Sequence, residues 1–457
     1  MVRGGTVVTP DGTGLADVGI RDGRIARLGG GMTAGQELDA TGLVVIPGGV
    51  DAHVHLTVPP EPDLTDQDPV WVDDFWTGSL AAIAGGITTV GNMTFCAEGE
   101  RMTAAVSRET GLAAAQAGVD WFLHPVLADP GPQAAADVAD LAEQGHTSVK
   151  VFLIDPQVAG RRPELAAVMR AAGQAGSLVV VHCEDAGLIQ QAGQELVSTG
   201  RGGMRHYPQA RPVAAEVAAV EHAIGLGRET GAPVYVVHLS SADALAACCR
   251  ARAAGQPVYV ETRPLYLHLT EERFAEPDAG KYVGAPPLRQ RGDLDALWEG
   301  LAAGDVDTVC SDHAPWSLAA KLDPALDVTT ARQGVSDLET LMPMLYSEGV
   351  VTGRITLPRF VELTSTNAAK LFGLYPRKGV IAEGSDADLA LWDPAETRTV
   401  NGASMRSRAG YSVYDGWHVQ GWPRFVLSHG KVVLDNGTIT ARAGQGQWVR
   451  RGPVMPL

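Results

Sequence analysis

Eight apolar, β-rich runs recur along this 457-residue chain, and Ala-rich segments of helical length separate most of them. The runs are "VVIPGGVDAHVHL" from residue 44, "TTVGNMTF" from 88, "DWFLHPVL" from 120, "SVKVFL" from 148, "LVVVHCE" from 178, "VYVVHLSS" from 234, "PVYVETRPLYL" from 257 and "TVCSDHAP" from 308. Between them, stretches such as "TAAVSRETGLAAAQAG", "RPELAAVMRAAGQAG" and "PVAAEVAAVEHAIGLGRETG" carry a helical pattern closed by glycine. A continuous apolar strand has to be covered on both faces. A parallel sheet clad in helices does this, and eight such units close into a (β/α)8 barrel. A doubly wound open sheet is the other arrangement that satisfies the pattern.

The two ends read differently. Residues 1–46 ("GGTVVTPDGTG", "DVGIRDGRIARLG") and 379–457 ("GVIAEGSDADLALWDP", "PRFVLSHGKVVLDNGTITAR") are short β-runs broken by Asp-Gly, Asn-Gly and Gly pairs, the mark of hairpins. We expect them to combine into one composite β-sandwich, with 47–378 as the barrel. With 36 Lys+Arg against 53 Asp+Glu, the net charge of −17 and the lack of a basic cluster argue against nucleic-acid or anionic-membrane partners and for a small molecule. The N-terminal stretch lacks the apolar core of a signal peptide, and no run is long enough to span a bilayer, so a cytoplasmic location is expected. Five cysteines without regular spacing read as reduced thiols.

In barrels of this kind the reactive groups sit where strands run into the following loops. The first run ends with Asp51, His53 and His55 at alternating positions, which in an extended chain project together. The fourth carries Lys150, the fifth His182, the sixth His238, and the eighth Asp312 followed by His313. Imidazoles and carboxylates are the donors of zinc-like ions, and here they converge on one mouth. Each is ordinary alone, because a strand-end histidine is usually structural. Lys150 in "SVKVFL" either reaches the rim or a carboxylate, or is desolvated so far that its amine reacts with carbon dioxide to give a bridging carbamate.

The chain resembles the dihydropyrimidinase and hydantoinase group of cyclic amidohydrolases, within the amidohydrolase superfamily. The likeness rests on "PGGVDAHVHL", "DDFWTGSLAAIAGGITTV", "VKVF", "VHCE", "VVHLSS", "ETRPLYL", "VGAPPLR", "SDHAP" and "STNAAKLFGLYPRKGVIAEGSDADLALWDP", and spans nearly the full length. The resemblance implies a (β/α)8 barrel with a terminal β-sandwich and two divalent ions, zinc above all, bridged by a carboxylated Lys150. It implies that His53, His55 and Asp312 hold the more buried ion and His182 and His238 the more exposed one. Asp312 is then also the catalytic proton carrier. Bound metal lowers the pKa of water from about 15.7 to about 7, so that hydroxide can attack a cyclic amide at neutral pH. Relatives are commonly tetramers.

Substrate-contacting positions depart from the group's pattern. The tyrosine expected five residues after the bridging lysine is Asp155, which when ionised cannot donate to an oxyanion. Arg263 is the first candidate to replace it, with Tyr207 and Tyr266 behind, because a guanidinium pairs with a carboxylate or an oxyanion. The usual serine of "SPPLR" is Ala285 and a usual asparagine is Ser336, positions that meet the ring imide largely through backbone atoms. Thr57 stands where dihydroorotases carry a carboxylate-binding arginine, which argues against dihydroorotate, while "APP" at 285–287 keeps allantoinase open. A mononuclear deaminase would need no bridging lysine, and a catalytically silent scaffold would have lost ligands. Trp71 and Trp76 read either as pocket mouth or as packing. The expected activity is ring opening of a hydantoin, dihydropyrimidine or related ureide.

Overall fold

The computed structural model describes residues 1–58 and 68–457. Eight barrel strands follow in chain order: β1 (Gly49–Val54), β2 (Ile87–Thr94), β3 (Asp120–Pro125), β4 (Ser148–Phe152), β5 (Leu178–His182), β6 (Val234–Val236), β7 (Val258–Thr262) and β8 (Thr308–Val309). They form two arcs, β1 to β3 and β4 to β8, in which every neighbouring pair is parallel. Backbone bonds join the arcs. Leu127 N donates to Lys150 O at 2.8 Å, and His55 N donates to His313 O at 2.8 Å, beside the parallel bridges Val126–Lys150 and Val54–His313. The ring is therefore closed, and the open-sheet alternative does not apply.

The expected helices cover the outside as Met102–Gln116, Arg162–Gln174 and Val213–Thr230. The last ends where Gly231 takes φ +74°, a left-handed turn that costs other residues a Cβ clash. Strand side chains divide between two cores. Val149, Val151, Val179 and Val181 pack outward in the helical layer, whereas Leu178, Val180, Tyr235 and Tyr259 fill the interior. The strand period of two then puts Lys150 and His182 on the interior face.

Both termini build one nine-stranded sheet, the β-sandwich domain, in which Val44–Pro47 pairs with Val2–Thr9 on one side and antiparallel with Leu389–Thr399 on the other. Its hairpins turn at Asp22-Gly23, His429-Gly430 and Asn436-Gly437, each with positive φ at both residues, the geometry that matches strand twist. The final segment leaves this sheet. Trp121 N donates to Gln447 O at 3.0 Å, and Arg451, buried, donates to Ser148 Oγ and Leu123 O, so the tail closes the strand-start end of the barrel. Lys378 ties barrel to sandwich by pairing with Asp120, Asp388 and, at 2.9 Å, Asp386. Among the described residues no helix is long and apolar enough to cross a membrane, and all five cysteines are free.

Candidate active site

A cavity of about 450 Å3 opens over the strand ends, and His53, His55, His182, His238 and Asp312 all face it. His53 and His55 leave β1 together and meet one carboxylate oxygen: Asp312 Oδ1 lies 3.1 Å from His53 Nε2 and 3.0 Å from His55 Nε2. Asp51 does not join them. A register shift in β1 between Asp51 and Val54 breaks the simple alternation, and the Asp51 carboxylate instead accepts from the backbone N–H of His53 and Ser311.

The second pair faces the first. The rings of His53 and His238 are 5.5 Å apart, and His182 Nδ1 lies 3.0 Å from His238 Nε2. His182 Nε2 is engaged by Glu184 Oε2 at 2.8 Å, which leaves the Nδ1 lone pair directed at His238. Lys150 Nζ is fully buried, has no hydrogen-bond partner among the described residues, and sits 4.7 Å from the Phe152 ring centroid. Burial pushes its pKa down to about 8. Burial likewise lowers His55 to about 4 and holds His182 and His238 below the free imidazole. Burial alone would raise Asp312, but Arg263 and His53 outweigh it and keep the carboxyl well below its usual range.

These donors fit a pair of divalent cations. They are neutral imidazole nitrogens, one ionised carboxylate and one unpaired buried amine, which is costly to leave as it stands. The backbone agrees. Among the described residues five non-glycine positions have positive φ; three lie in the sandwich hairpins, and the other two are His238 (+39°) and Asp312 (+48°). Such conformations persist where surrounding structure imposes them, often at functional sites.

Two acids not anticipated from sequence orient the imidazoles. Glu261 Oε1 binds His53 Nδ1 at 2.8 Å and accepts from His238 N at 2.9 Å, while its other oxygen accepts from Tyr235 OH. Glu184 holds His182 and is itself paired with buried Arg211. Such second partners fix the ring and the tautomer of a ligating histidine. The signal was an acid inside the apolar run "VYVET", a cue of the same kind as Lys150.

Arg263 stands behind Asp312 and outside the cavity wall. It is fully buried, with Nη1 on Asp312 Oδ2 at 2.8 Å and Nη2 on Asp337 Oδ2 at 3.4 Å. Tyr207 and Tyr266 are also occupied, donating to the carbonyls of Gly284 and Pro286. Asp155 and Ala285 do reach the cavity, whereas Ser336 is buried in the segment that continues from Gln333 and Gly334. Asp155 caps the short helix Pro156–Ala159 by accepting from Gln157 N. Trp71 lines the cavity with its ring 4.9 Å from that of His55, whereas Trp76 does not reach it.

A (β/α)8 barrel whose strand ends gather imidazoles, a carboxylate and a desolvated lysine defines a class of metal-dependent hydrolase. The family model described as "Amidohydrolase family" matches residues 44–433, and the chain belongs to that family. It is 35% identical over 464 residues to a D-hydantoinase of Rhizobium radiobacter, covering 99% of this chain and 98% of that protein. It is 36% identical to a D-phenylhydantoinase of Escherichia coli O9:H4 (strain HS), covering 100% and 99%. The crystal structure of a dihydropyrimidinase from Brevibacillus agri NCHU1002 superposes with a TM-score of 0.94 at 35% identity, over 100% of this chain and 99% of that one.

Proposed function

We propose that the protein hydrolyses the ring amide of hydantoins, dihydropyrimidines or related ureides, with two zinc-like ions in the strand-end cavity. The observation that carries this reading is that His53, His55, His182, His238 and Asp312, from four strand ends, line one cavity, with the buried Lys150 beside Phe152 of its wall. His53, His55 and Asp312 would hold one ion, His182 and His238 the other, and a carboxylated Lys150 both. An amine near pKa 8 has a neutral fraction at neutral pH, which is the form that adds carbon dioxide. When bound, the ions supply Lewis-acid polarisation of the scissile carbonyl and acidify water.

The chain's own groups do the rest. Asp312, low in pKa and held by Arg263 through Oδ2, takes the proton of the attacking water and hands it to the ring nitrogen as the C–N bond breaks. Water thus adds across the amide, giving a carboxylate and a ureido nitrogen. Glu261 and Glu184 keep His53 and His182 in register. Ala285 and the segment that leads through Gln333 and Gly334 to Ser336 would offer backbone atoms to the imide, and Asp155 would face the ring's outer substituent. Trp71, Phe95, Phe152 and Ile154 make that wall apolar, which favours a hydrocarbon or aromatic substituent over the ureido arm of allantoin. A cytoplasmic tetramer is the setting that the family resemblance supports.

The test is a ring-opening screen of metal-reconstituted protein against dihydrouracil, 5-substituted hydantoins, allantoin and dihydroorotate. Opening of hydantoins or dihydrouracil, abolished by chelation, is expected. Failure to open any of the four, or activity that survives Lys150→Ala, would refute the reading.

A further inference from the structure

Two segments bring backbone to the cavity on the side of Ala285: residues 283–286 and residues 332–336, the latter through Gln333 and Gly334. Lys321 lies between them, at the end of the short helix Leu318–Lys321, and is only 2% exposed. Its Nζ donates to three backbone carbonyls: Val283 O at 2.5 Å, Arg332 O at 2.7 Å and Gly334 O at 2.8 Å. One acceptor belongs to the first segment and two to the second. An ammonium has three N–H donors, and all three are used.

We propose that Lys321 is a positioning residue whose ammonium fixes the spacing of the two segments that face the cyclic imide, one at Ala285 and the other at Gln333 and Gly334. This rests on the cyclic-amidohydrolase reading given above. The surroundings argue for a spacing role. In the first segment the carbonyls of Val283, Gly284 and Pro286 are each anchored by a buried donor, Lys321, Tyr207 and Tyr266 respectively. Ala285, between them, reaches the cavity and carries none of these ties.

The second segment is registered to the catalytic strand end. Ala314 N donates to Val335 O at 3.1 Å, and Gly334, at φ +119°, lies so close that a Cβ there would meet Ala314 O at 2.4 Å. Gly334 N in turn donates to Val283 O at 3.1 Å. A continuous path therefore runs from Asp312 through Ala314, Val335 and Gly334 to Lys321, and on to Val283 and Ala285. The residue at its junction is not interchangeable. A neutral amide supplies two N–H donors, and the planar fork of arginine cannot converge on three carbonyls from one point. The cost of burying a cation among neutral carbonyls is accepted here, at the join between two walls of the cavity.

Full-length, metal-reconstituted Lys321→Met tests this, since it keeps the apolar stem and removes all three donors. The KM for a hydantoin should rise about tenfold or more while kcat falls by less than about threefold, because displaced binding groups weaken ring capture first. Inhibition by acetohydroxamate, a metal chelator without a ring imide, should shift by less than about twofold. Hydrogen exchange should quicken in 283–286 and 332–336 but not in β4 or β5, and Lys321→Arg should not restore KM. An unchanged hydantoin KM, or a hydroxamate shift as large as the KM shift, overturns the proposal. Should Lys321→Met fail to fold, Lys321→Gln, which keeps two donors, is read by exchange alone, and unchanged protection in both segments overturns it. A wild-type protein that opens no ring overturns the functional reading and this proposal together, whereas an active wild type with an unchanged Lys321→Met KM overturns this proposal alone.

Discussion

Replacing Arg263 by methionine separates two roles for that residue, direct contact with substrate and support of Asp312. The guanidinium has no face on the cavity. Its Nη1 meets Asp312 Oδ2 at 2.8 Å, with side-chain exposures of 0% and 11%, while Asp312 Oδ1 faces His53 and His55. Methionine fills most of the volume and removes, besides the longer contact to Asp337, the charge-assisted hydrogen bond to Asp312, which is worth about 1.5–3 kcal/mol. At 1.36 kcal/mol per tenfold, that is a fall of roughly 13- to 160-fold in kcat/KM if the bond is fully used in the transition state. Because the lost contact lies behind the proton carrier and not on the substrate, the fall should appear in kcat with KM within about twofold. Asp155→Asn removes only a half-exposed charge at the rim and should cost less than about threefold. Steady-state hydrolysis of a hydantoin, with metal content measured on the same samples, decides the matter. A loss expressed mainly in KM would make Arg263 a substrate contact, and a loss no larger than that of Asp155→Asn would remove it from the mechanism.

Lys150→Met should drop metal content, read by plasma mass spectrometry, below two ions per chain. In chelated samples the same substitution should raise stability by about 1–3 kcal/mol, since it removes a buried amine without a partner. Glu261→Gln keeps the shape but weakens the hold on His53 Nδ1, so metal affinity should fall by about 10- to 100-fold in competition with a chelator, with little change in Tm. The hydrogen bond to Asp120 raises the pKa of His429 above its free value of about 6.5. Its stabilising contribution is therefore complete below that value and lost as pH climbs through the higher folded value. His429→Gln should lower Tm at pH below that window, leave it nearly unchanged above it, and so flatten the Tm against pH curve between the two.

The barrel was legible because burial on both faces removes polar alternation from a strand, so the eight runs announced themselves by composition. The two-residue hairpins of the sandwich were legible because Asp22-Gly23 and Asn436-Gly437 tolerate the φ values that such turns demand. Residues that the structure gathers in the cavity, such as His53, His182, His238 and Asp312, stood out as polar side chains at the ends of apolar runs. The direction in which a side chain points was not legible. Asp51 follows the same alternation as His53 and His55, yet a shift in strand register turns it to Ser311. Arg263 follows a strand end as expected, but the carboxylates of Asp312 and Asp337 draw it away from the cavity, and pairing across 49 and 74 residues leaves no local trace. Lys321 was invisible for the same reason. In "SLAAKLDP" it reads as an exposed helix residue, and only the folded chain brings three carbonyls to its amine.

Several features that work against stability meet at the cavity. Among the described residues a buried amine has no acceptor, and two candidate ligands adopt left-handed backbone. Two imidazoles turn their nitrogens toward each other at 3.0 Å. Each costs on the order of 1–3 kcal/mol when taken alone, and a domain has only about 5–15 kcal/mol to spare. Elsewhere the same chain meets buried charge with partners, as where Lys378 is surrounded by Asp120, Asp386 and Asp388. The contrast carries the argument. The protein can satisfy a buried lysine when only folding is at stake, so leaving Lys150 unpaired beside Phe152 of the cavity wall is intelligible if its partner is supplied from outside as carbon dioxide and cations. On that account metal loading should raise Tm steeply in the wild type and barely at all in Lys150→Met.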